Sequence, residues 1–284
     1  MKKHSNVVSS IVLIGQPEHL LSSSYDKKVL LWDLNKPETP VVFKAHSKAV
    51  LTADISQDGR HVITGGADNK ILLWNILGNP RSESQEHQGF VNHVQFNLGF
   101  SSIFLSCSQN DEMLAFEVSK PLLTPFARMT GHNSPVVHFD QSPDGTLAVS
   151  IGANSILFYD ICISRCCQIN EIASMQRRRL PKYKKDKNKG PVYGTAKGSC
   201  IKFSPADVCT AFTYGNCLQV MYLNQKVPQV TASLVDEEYE TTSNSDFTKL
   251  NWSNDGKYIF TGATDGCVRI YEHNIQYSHD DLND

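Results

Sequence analysis

Four residues able to share protons stand close together in this sequence: His46, Thr64, Asp68 and Trp74. A hydroxyl, an imidazole and a carboxylate are the parts of a nucleophilic triad, in which the carboxylate orients the imidazole and the imidazole takes the hydroxyl proton. The same groups can instead close an internal relay. A carboxylate in a tight turn accepts from backbone N–H groups and from the imidazole, the imidazole binds the hydroxyl, and the hydroxyl reaches the indole N–H. Repetition separates the two readings, because a braced structural element recurs whereas a catalytic constellation is built once. Asp26 lies six residues before Trp32, Asp68 six before Trp74 and Asp265 six before Tyr271, and Ser22, Thr64 and Thr261 each lie four residues before those carboxylates. His4 and His46 each precede their Trp by 28 residues. The set therefore reads as a structural relay: His4, Ser22, Asp26 and Trp32 in one copy, His46, Thr64, Asp68 and Trp74 in the next, and Thr261 with Asp265 in the last.

The elements that must position these groups repeat with them. Taking the aromatic that ends each short apolar run as a marker, Trp32, Trp74, Phe116, Tyr159, Tyr222 and Tyr271 follow one another at steps of 42, 42, 43, 63 and 49 residues. The first three steps match a four-stranded propeller blade, and the longer two are the same unit with insertions. Within a repeat the strands are legible: "VLTADI" after His46, the turn "SQDGR", then "HVITGG", then the run ending at Trp74. Asp58-Gly59, Asp144-Gly145 and Asp255-Gly256 supply the residues hairpin turns demand.

This pattern resembles the WD40 family of β-propellers over nearly the whole chain. The stretch from "KAHSKAV" to "LLWNI", with His46, Thr64, Asp68 and Trp74, matches the family's repeat, and "GHNSPVV" with Gly131 and His132 leads to "LFYDI" in another copy. The resemblance implies an all-β fold, a single propeller domain over residues 1–284 with about six recognisable four-stranded blades. A basic insertion at 176–190 and a frayed tail at 275–284 complete the plan. The third repeat has Asn110 at the place of the turn Asp and Phe116 for Trp, and the fourth is one residue short, with Ala153 or Asn154 there. Complete relays are thus expected in the first two blades alone, with apolar packing carrying the later ones. Seven blades are commonest in the family, so the ring is expected to be six-bladed or imperfectly closed, or the chain a truncated form. The outer strand of the last blade has to come from "HNIQYSH" after Tyr271.

Charge adds little: Lys+Arg 27 against Asp+Glu 29 gives a net of -2, which implies no global attraction to nucleic acid or membrane. Locally, "MQRRRLPKYKKDKNKGP" gathers Arg177, Arg178, Arg179, Lys182, Lys184, Lys185, Lys187 and Lys189 against Asp186. Such a run can contact nucleic acid by counterion release, act as a nuclear-import signal, or be a solvated loop. The acidic "LVDEEYETTSNSD" reads as another exposed connection, able to face the basic run or a basic partner. The eight cysteines contain no CxxC pair and sit in strand-like runs, as small hydrophobes do in a reducing compartment. The N-terminal "MKKHSNVVSSIVLIG" is broken by Ser5, Asn6, Ser9 and Ser10 and reads as a strand, and no apolar run is long enough to span a membrane, so the expected location is cytoplasmic or nuclear. "NWS" at Asn251 fits a glycosylation acceptor inside a predicted strand and is set aside. GxSxG, HExxH and GxxxxGK[ST] are all missing. No enzyme activity, cofactor, metal or small-molecule substrate is expected. The resemblance places function on the rim, where Tyr25, Lys48, Phe90 and Pro135 project. It implies a rigid scaffold that holds other proteins in a complex, with an RNA- or chromatin-associated adaptor using the basic run as the alternative.

Overall fold

The computed structural model describes residues 3–14, 19–44, 46–153, 155–162, 165–172, 198–206, 208–215, 217–223, 229–234 and 246–273, and all regular structure among them is β-strand. Six antiparallel sheets form in chain order. Sheet one contains β1 (Val8–Ile14), β2 (His19–Ser24), β3 (Val29–Asp33) and β4 (Val41–Phe43); sheet two contains β5 (Val50–Ile55), β6 (His61–Gly66), β7 (Ile71–Asn75) and β8 (Pro80–Ser84). Sheet three contains β9 (Val91–Phe96), β10 (Ile103–Ser108), β11 (Met113–Glu117) and β12 (Pro125–Met129); sheet four contains β13 (Val136–Gln141), β14 (Leu147–Gly152), β15 (Ile156–Cys162) and β16 (Arg165–Ile172). Sheet five contains β17 (Gly198–Phe203), β18 (Cys209–Tyr214), β19 (Cys217–Tyr222) and β20 (Gln229–Leu234), and sheet six β21 (Phe247–Trp252), β22 (Tyr258–Ala263) and β23 (Val268–Glu272). Two compact units result, 1–198 and 199–284, the boundary falling at the start of β17. The basic run, the acidic run between Leu234 and Asp246, and the tail after His273, with the rest of "HNIQYSH", lie outside the described residues.

The third strand of each sheet explains the apolar runs. "VLLW", "ILLW" and "MLAF" are all buried, and sheets two and three, which carry the last two, each lie between two others and so have no solvent side for alternation to mark. Cross-strand partners share a face, so the packing rule can be read directly. The Trp74 face of sheet two, with Leu72, Val62 and Ala53, packs on the back of sheet one at Leu21, Val29, Leu31 and Phe43, where Phe43 meets the Trp74 ring edge-on at 5.6 Å. The Phe116 face of sheet three packs on the back of sheet two at Ile63, Ile71 and Leu73. Tyr159 and Leu157 of sheet four pack on Leu105, Met113 and Ala115 of sheet three. In the second unit, Ile259 and Tyr271 of sheet six pack on Ala211, Leu218 and Val220 of sheet five. In each of these four contacts the aromatic face lies on the back of the preceding sheet.

In sheet five the aromatic marker is misplaced by one residue. Thr210 pairs with Met221 as Leu20 pairs with Trp32, so Met221 occupies the marker position, while Tyr222 faces sheet six and its hydroxyl bonds His273 Nε2 at 2.7 Å. Nearby insertions had left the frame free to slip.

Two turn types recur. Between first and second strands, Ser56, Ser142 and Ser253 bond Asp58, Asp144 and Asp255, each at 2.5 Å, and the Gly that follows adopts φ of 68, 71 and 71°. Between second and third strands the residue after the relay carboxylate is left-handed: Lys27 at φ 70°, Asn69 at 65° and Gly266 at 83°. All three donate their N–H back to the turn's first residue. Lys pays a steric cost there that Gly avoids and Asn partly escapes. Lys27→Gly is therefore expected to raise stability by about 0.5–1 kcal/mol and Asn69→Gly by less, as read from urea unfolding midpoints.

Candidate functional site

The loop entering β5 carries His46, β6 carries Thr64, the following turn carries Asp68 and β7 carries Trp74, so one residue from each of four successive segments converges at one end of sheet two. His46 Nδ1 lies 2.9 and 3.1 Å from the two Asp68 oxygens, its Nε2 lies 2.8 Å from Thr64 Oγ1, and Trp74 Nε1 donates to that same oxygen at 3.0 Å. The carboxylate can only accept, so His46 Nδ1–H goes to Asp68; the neutral imidazole's Nε2 then accepts from the Thr64 hydroxyl, whose oxygen takes the indole N–H. The Ser47 amide adds a bond to Asp68 Oδ2 at 2.9 Å. Gly66 is required by this convergence, since a Cβ there would sit 2.5 Å from His46 Nδ1 and 2.6 Å from Asp68 Oδ1. Sheet one repeats the set. His4 Nδ1 is 3.0 Å from Asp26 Oδ2, His4 Nε2 is 2.8 Å from Ser22 Oγ, and Trp32 Nε1 donates to Ser22 at 2.8 Å.

Electrostatics follow from the partners. Burial pushes the Asp68 carboxyl up, but the hydrogen bond and charge of His46, with the Ser47 and Lys70 amides, outweigh it and hold the group down at about 2. Asp26 is lowered by the same balance, burial opposing the Ser5 amide, His4 and the Lys28 amide. The geometry copies that of a hydrolytic triad, yet Thr64 is fully buried and its oxygen is blocked by the indole N–H, so no substrate atom can reach it.

Two further histidines do the same work at offsets the 28-residue spacing does not reach. His87 Nε2 lies 2.7 Å from Ser106 Oγ, and its Nδ1 has no hydrogen-bond partner among the described residues, consistent with Asn110 replacing the carboxylate. His132 bridges two hydroxyls, Ser150 at 2.6 Å and Ser155 at 2.7 Å, so Ser155 stands in for the missing turn carboxylate, whose place falls on Ala153 or Asn154 in the sequence. Burial lowers both imidazoles to about 4 and raises the Tyr159 phenol to about 12. The offset from hydroxyl to aromatic could have found these serines, since Ser106 stands ten residues before Phe116 and Ser150 nine before Tyr159, as Ser22 and Thr64 stand ten before Trp32 and Trp74. Each histidine stands four residues before its first strand, and the one-residue drifts arise further on: the β9–β10 turn is one residue longer than the β5–β6 turn, and the β14–β15 turn one residue shorter than the β6–β7 turn. Sheet six departs from expectation altogether. Asp265 pairs with Arg269 at 2.6 Å and accepts the Cys267 amide, while Thr261 Oγ1 is buried without a hydrogen-bond partner among the described residues. Arg269, reaching over the Phe247 ring, has captured the carboxylate that the spacing assigned to a relay.

Beside the relays stand the rim residues. Tyr25 precedes Asp26, Lys48 follows Ser47, Phe90 follows His87 by three residues and Pro135 follows His132 by three; all four are exposed. Lys48 Nζ lies 6.0 Å from the Phe90 ring centroid, which brings those two together across neighbouring sheets. Arg177, Arg178, Arg179, Lys182, Lys184 and Lys185 lie outside the described residues. Among the described residues no group of three or more His, Cys, Asp or Glu is placed to hold a metal ion, and no helix is long and apolar enough to cross a membrane.

The pattern of the WD domain, G-beta repeat family matches residues 1–33, 38–75 and 238–272. Cross-pathway control WD-repeat protein 2 of Flammulina velutipes is 30% identical over 278 residues, covering 94% of this chain and 79% of the relative. The small ribosomal subunit protein RACK1 of Schizosaccharomyces pombe is 30% identical over 277 residues (95% and 80% covered), and that of Drosophila melanogaster 29% over 276 (95% and 79%).

Proposed function

We propose, from the premise that this chain belongs to the WD40-repeat family, that it is a non-catalytic interaction scaffold whose partners dock on the rim at the relay end of its sheets. One observation carries the reading: the polar groups of the two full relays are turned inward and consumed by one another, while Tyr25, Lys48, Phe90 and Pro135 stand exposed at the same end. Rigid aromatics and a cation on a braced turn lose little entropy on binding, which is what a docking anchor needs. Two of the relatives carry the name of a small ribosomal subunit protein. That supports an assembly containing the small ribosomal subunit, and with it a cytoplasmic place of work.

Co-sedimentation with small ribosomal subunits in sucrose gradients tests this. The double variant Lys48→Glu, Phe90→Ala is expected to weaken association about tenfold or more while its melting temperature stays at the parent value. Unchanged binding overturns the rim assignment. The run of cations from Arg177 to Lys189 favours a second reading, direct contact with RNA. In that case neutralising Arg177, Arg178 and Arg179 removes binding and its steep salt dependence, and the rim variant does not.

A further inference from the structure

The residue two places after the Asp or Asn of the relay turn carries a charge in each of the first three sheets: Lys28, Lys70 and Glu112. Lys28 and Lys70 donate their backbone N–H to Asp26 and Asp68 at 3.1 and 3.3 Å, so they hold the same place in sheets one and two. In sheets two and three the charge is answered inside the chain. Lys70 Nζ reaches Glu83 at 3.2 Å, and Glu112 meets Arg128 at 3.1 Å. The partners hold equivalent places on the fourth strand, Glu83 opposite Leu72 and Arg128 opposite Leu114. In sheet one that place, opposite Leu30, belongs to Val42, which is 47% exposed and has no charge to give. Register adds a second mismatch. The β3–β4 pairing ends at Val29 opposite Phe43, so the next residues along, Lys28 and Lys44, stand side by side. The corresponding neighbours in sheets two and three are neutral, Gln85 beside Lys70 and Thr130 beside Glu112.

Like charges set opposite each other on neighbouring strands repel, and nothing in sheet one relieves this pair. Lys3 and Lys27 add two exposed cations at the same end of the sheet. The carboxylate of that end, Asp26, is already engaged: its side chain is 3% exposed and bonded to His4. Among the described residues no ion pair involves Lys3, Lys27, Lys28 or Lys44. We propose that this corner of sheet one docks an acidic segment of a partner protein, which supplies to Lys28 and Lys44 the carboxylate that Glu83 supplies to Lys70 and lays an aliphatic side chain on Val42. A peptide suits the corner better than a phosphodiester chain does. The neighbouring sheet meets the same lysine with a carboxylate, and Val42 offers apolar contact that a charged backbone cannot use. Exposed ion pairs are individually weak, so several cations acting together must carry the attraction, and salt must weaken it. The contact uses neither Lys48 nor Phe90, and it holds or fails independently of docking at those two.

Fluorescence anisotropy on the full chain at low ionic strength, with a fluorescein-labelled peptide of glutamates flanking a pair of leucines, is the test. The parent is expected to bind, and less tightly as salt is added. Lys28→Gln combined with Lys44→Gln is expected to weaken binding about tenfold. Val42→Glu installs the missing carboxylate beside both lysines, so it should weaken binding about as much while its melting temperature stays at or above the parent's, which separates loss of the site from loss of the fold. Removing two cations at the other end of the sheets, Lys36→Gln with Lys120→Gln, should leave binding at the parent level. A parent that does not bind the peptide overturns the proposal, and so does a Lys28, Lys44 double variant that binds as the parent does. A single-stranded oligouridylate that binds more tightly than the peptide and depends on the same two lysines overturns it as well, by making the corner a nucleic-acid contact.

Discussion

Trp74→Ala is expected to lower the stability of the first unit by about 3–5 kcal/mol, the usual loss for emptying a buried aromatic site. Trp74 is among the largest fully buried side chains, it meets Phe43 edge-on, and it fills the contact between the second sheet and the back of the first. Trp74→Phe separates packing from hydrogen bonding. It keeps most of the apolar contact and removes only the donor to Thr64, whose hydroxyl still bonds His46. The third sheet shows that this state is tolerated, since Phe116 stands at the marker position while Ser106 remains bonded to His87. The Phe variant should therefore cost about 1–2 kcal/mol. Urea unfolding followed by tryptophan fluorescence and circular dichroism measures both, and a Phe variant as damaged as the Ala variant would show that the indole N–H, not the ring volume, closes the blade.

Acid should weaken the same unit before any carboxylate of the relays titrates. His87 and His132 are held neutral by burial, with folded values of about 4 against 6.5 for an ordinary imidazole. Because the unfolded chain takes up these protons first, the stabilisation is fully present above pH 6.5 and is lost as pH falls from there towards 4. By pH 4 the cost of keeping each imidazole neutral reaches about 3 kcal/mol relative to neutral pH. Asp68 acts lower on the scale. Its contribution is present above 3.8 and disappears as pH falls through about 2. Urea midpoints should thus drop steeply between pH 6.5 and 4, and His87→Gln, which has no proton to gain there, should flatten the slope. A parent midpoint independent of pH across that window would mean that both imidazoles are hydrated or charged in the folded protein.

The antiparallel all-β architecture was readable because it is written in short-range terms. A strand that must be buried on both sides shows as an apolar run, a hairpin turn shows as Asp-Gly, and a brace that recurs shows as a constant offset, as His46, Thr64, Asp68 and Trp74 do. Offsets hold only while the intervening loops keep their length. Where loops vary, the signal failed in definite places: His87 and His132 stand one residue away from the 28-residue spacing, Ser155 replaces the absent carboxylate, and Met221 rather than Tyr222 faces the position of Trp32. Spacing is also blind to competition. Asp265 has the right distance from Tyr271, yet Arg269 holds it in an ion pair, and Thr261 Oγ1 has no hydrogen-bond partner among the described residues. What sequence alone determined, then, is the repeating sheet and its two best-braced copies, because those depend on neighbours in the chain. Which apolar residues are covered only the tertiary structure decided: Val268 and Val29 read alike in their strands, yet among the described residues Val29 is buried under sheet two and Val268 is exposed, because burial depends on what is packed against a strand and not on its own residues.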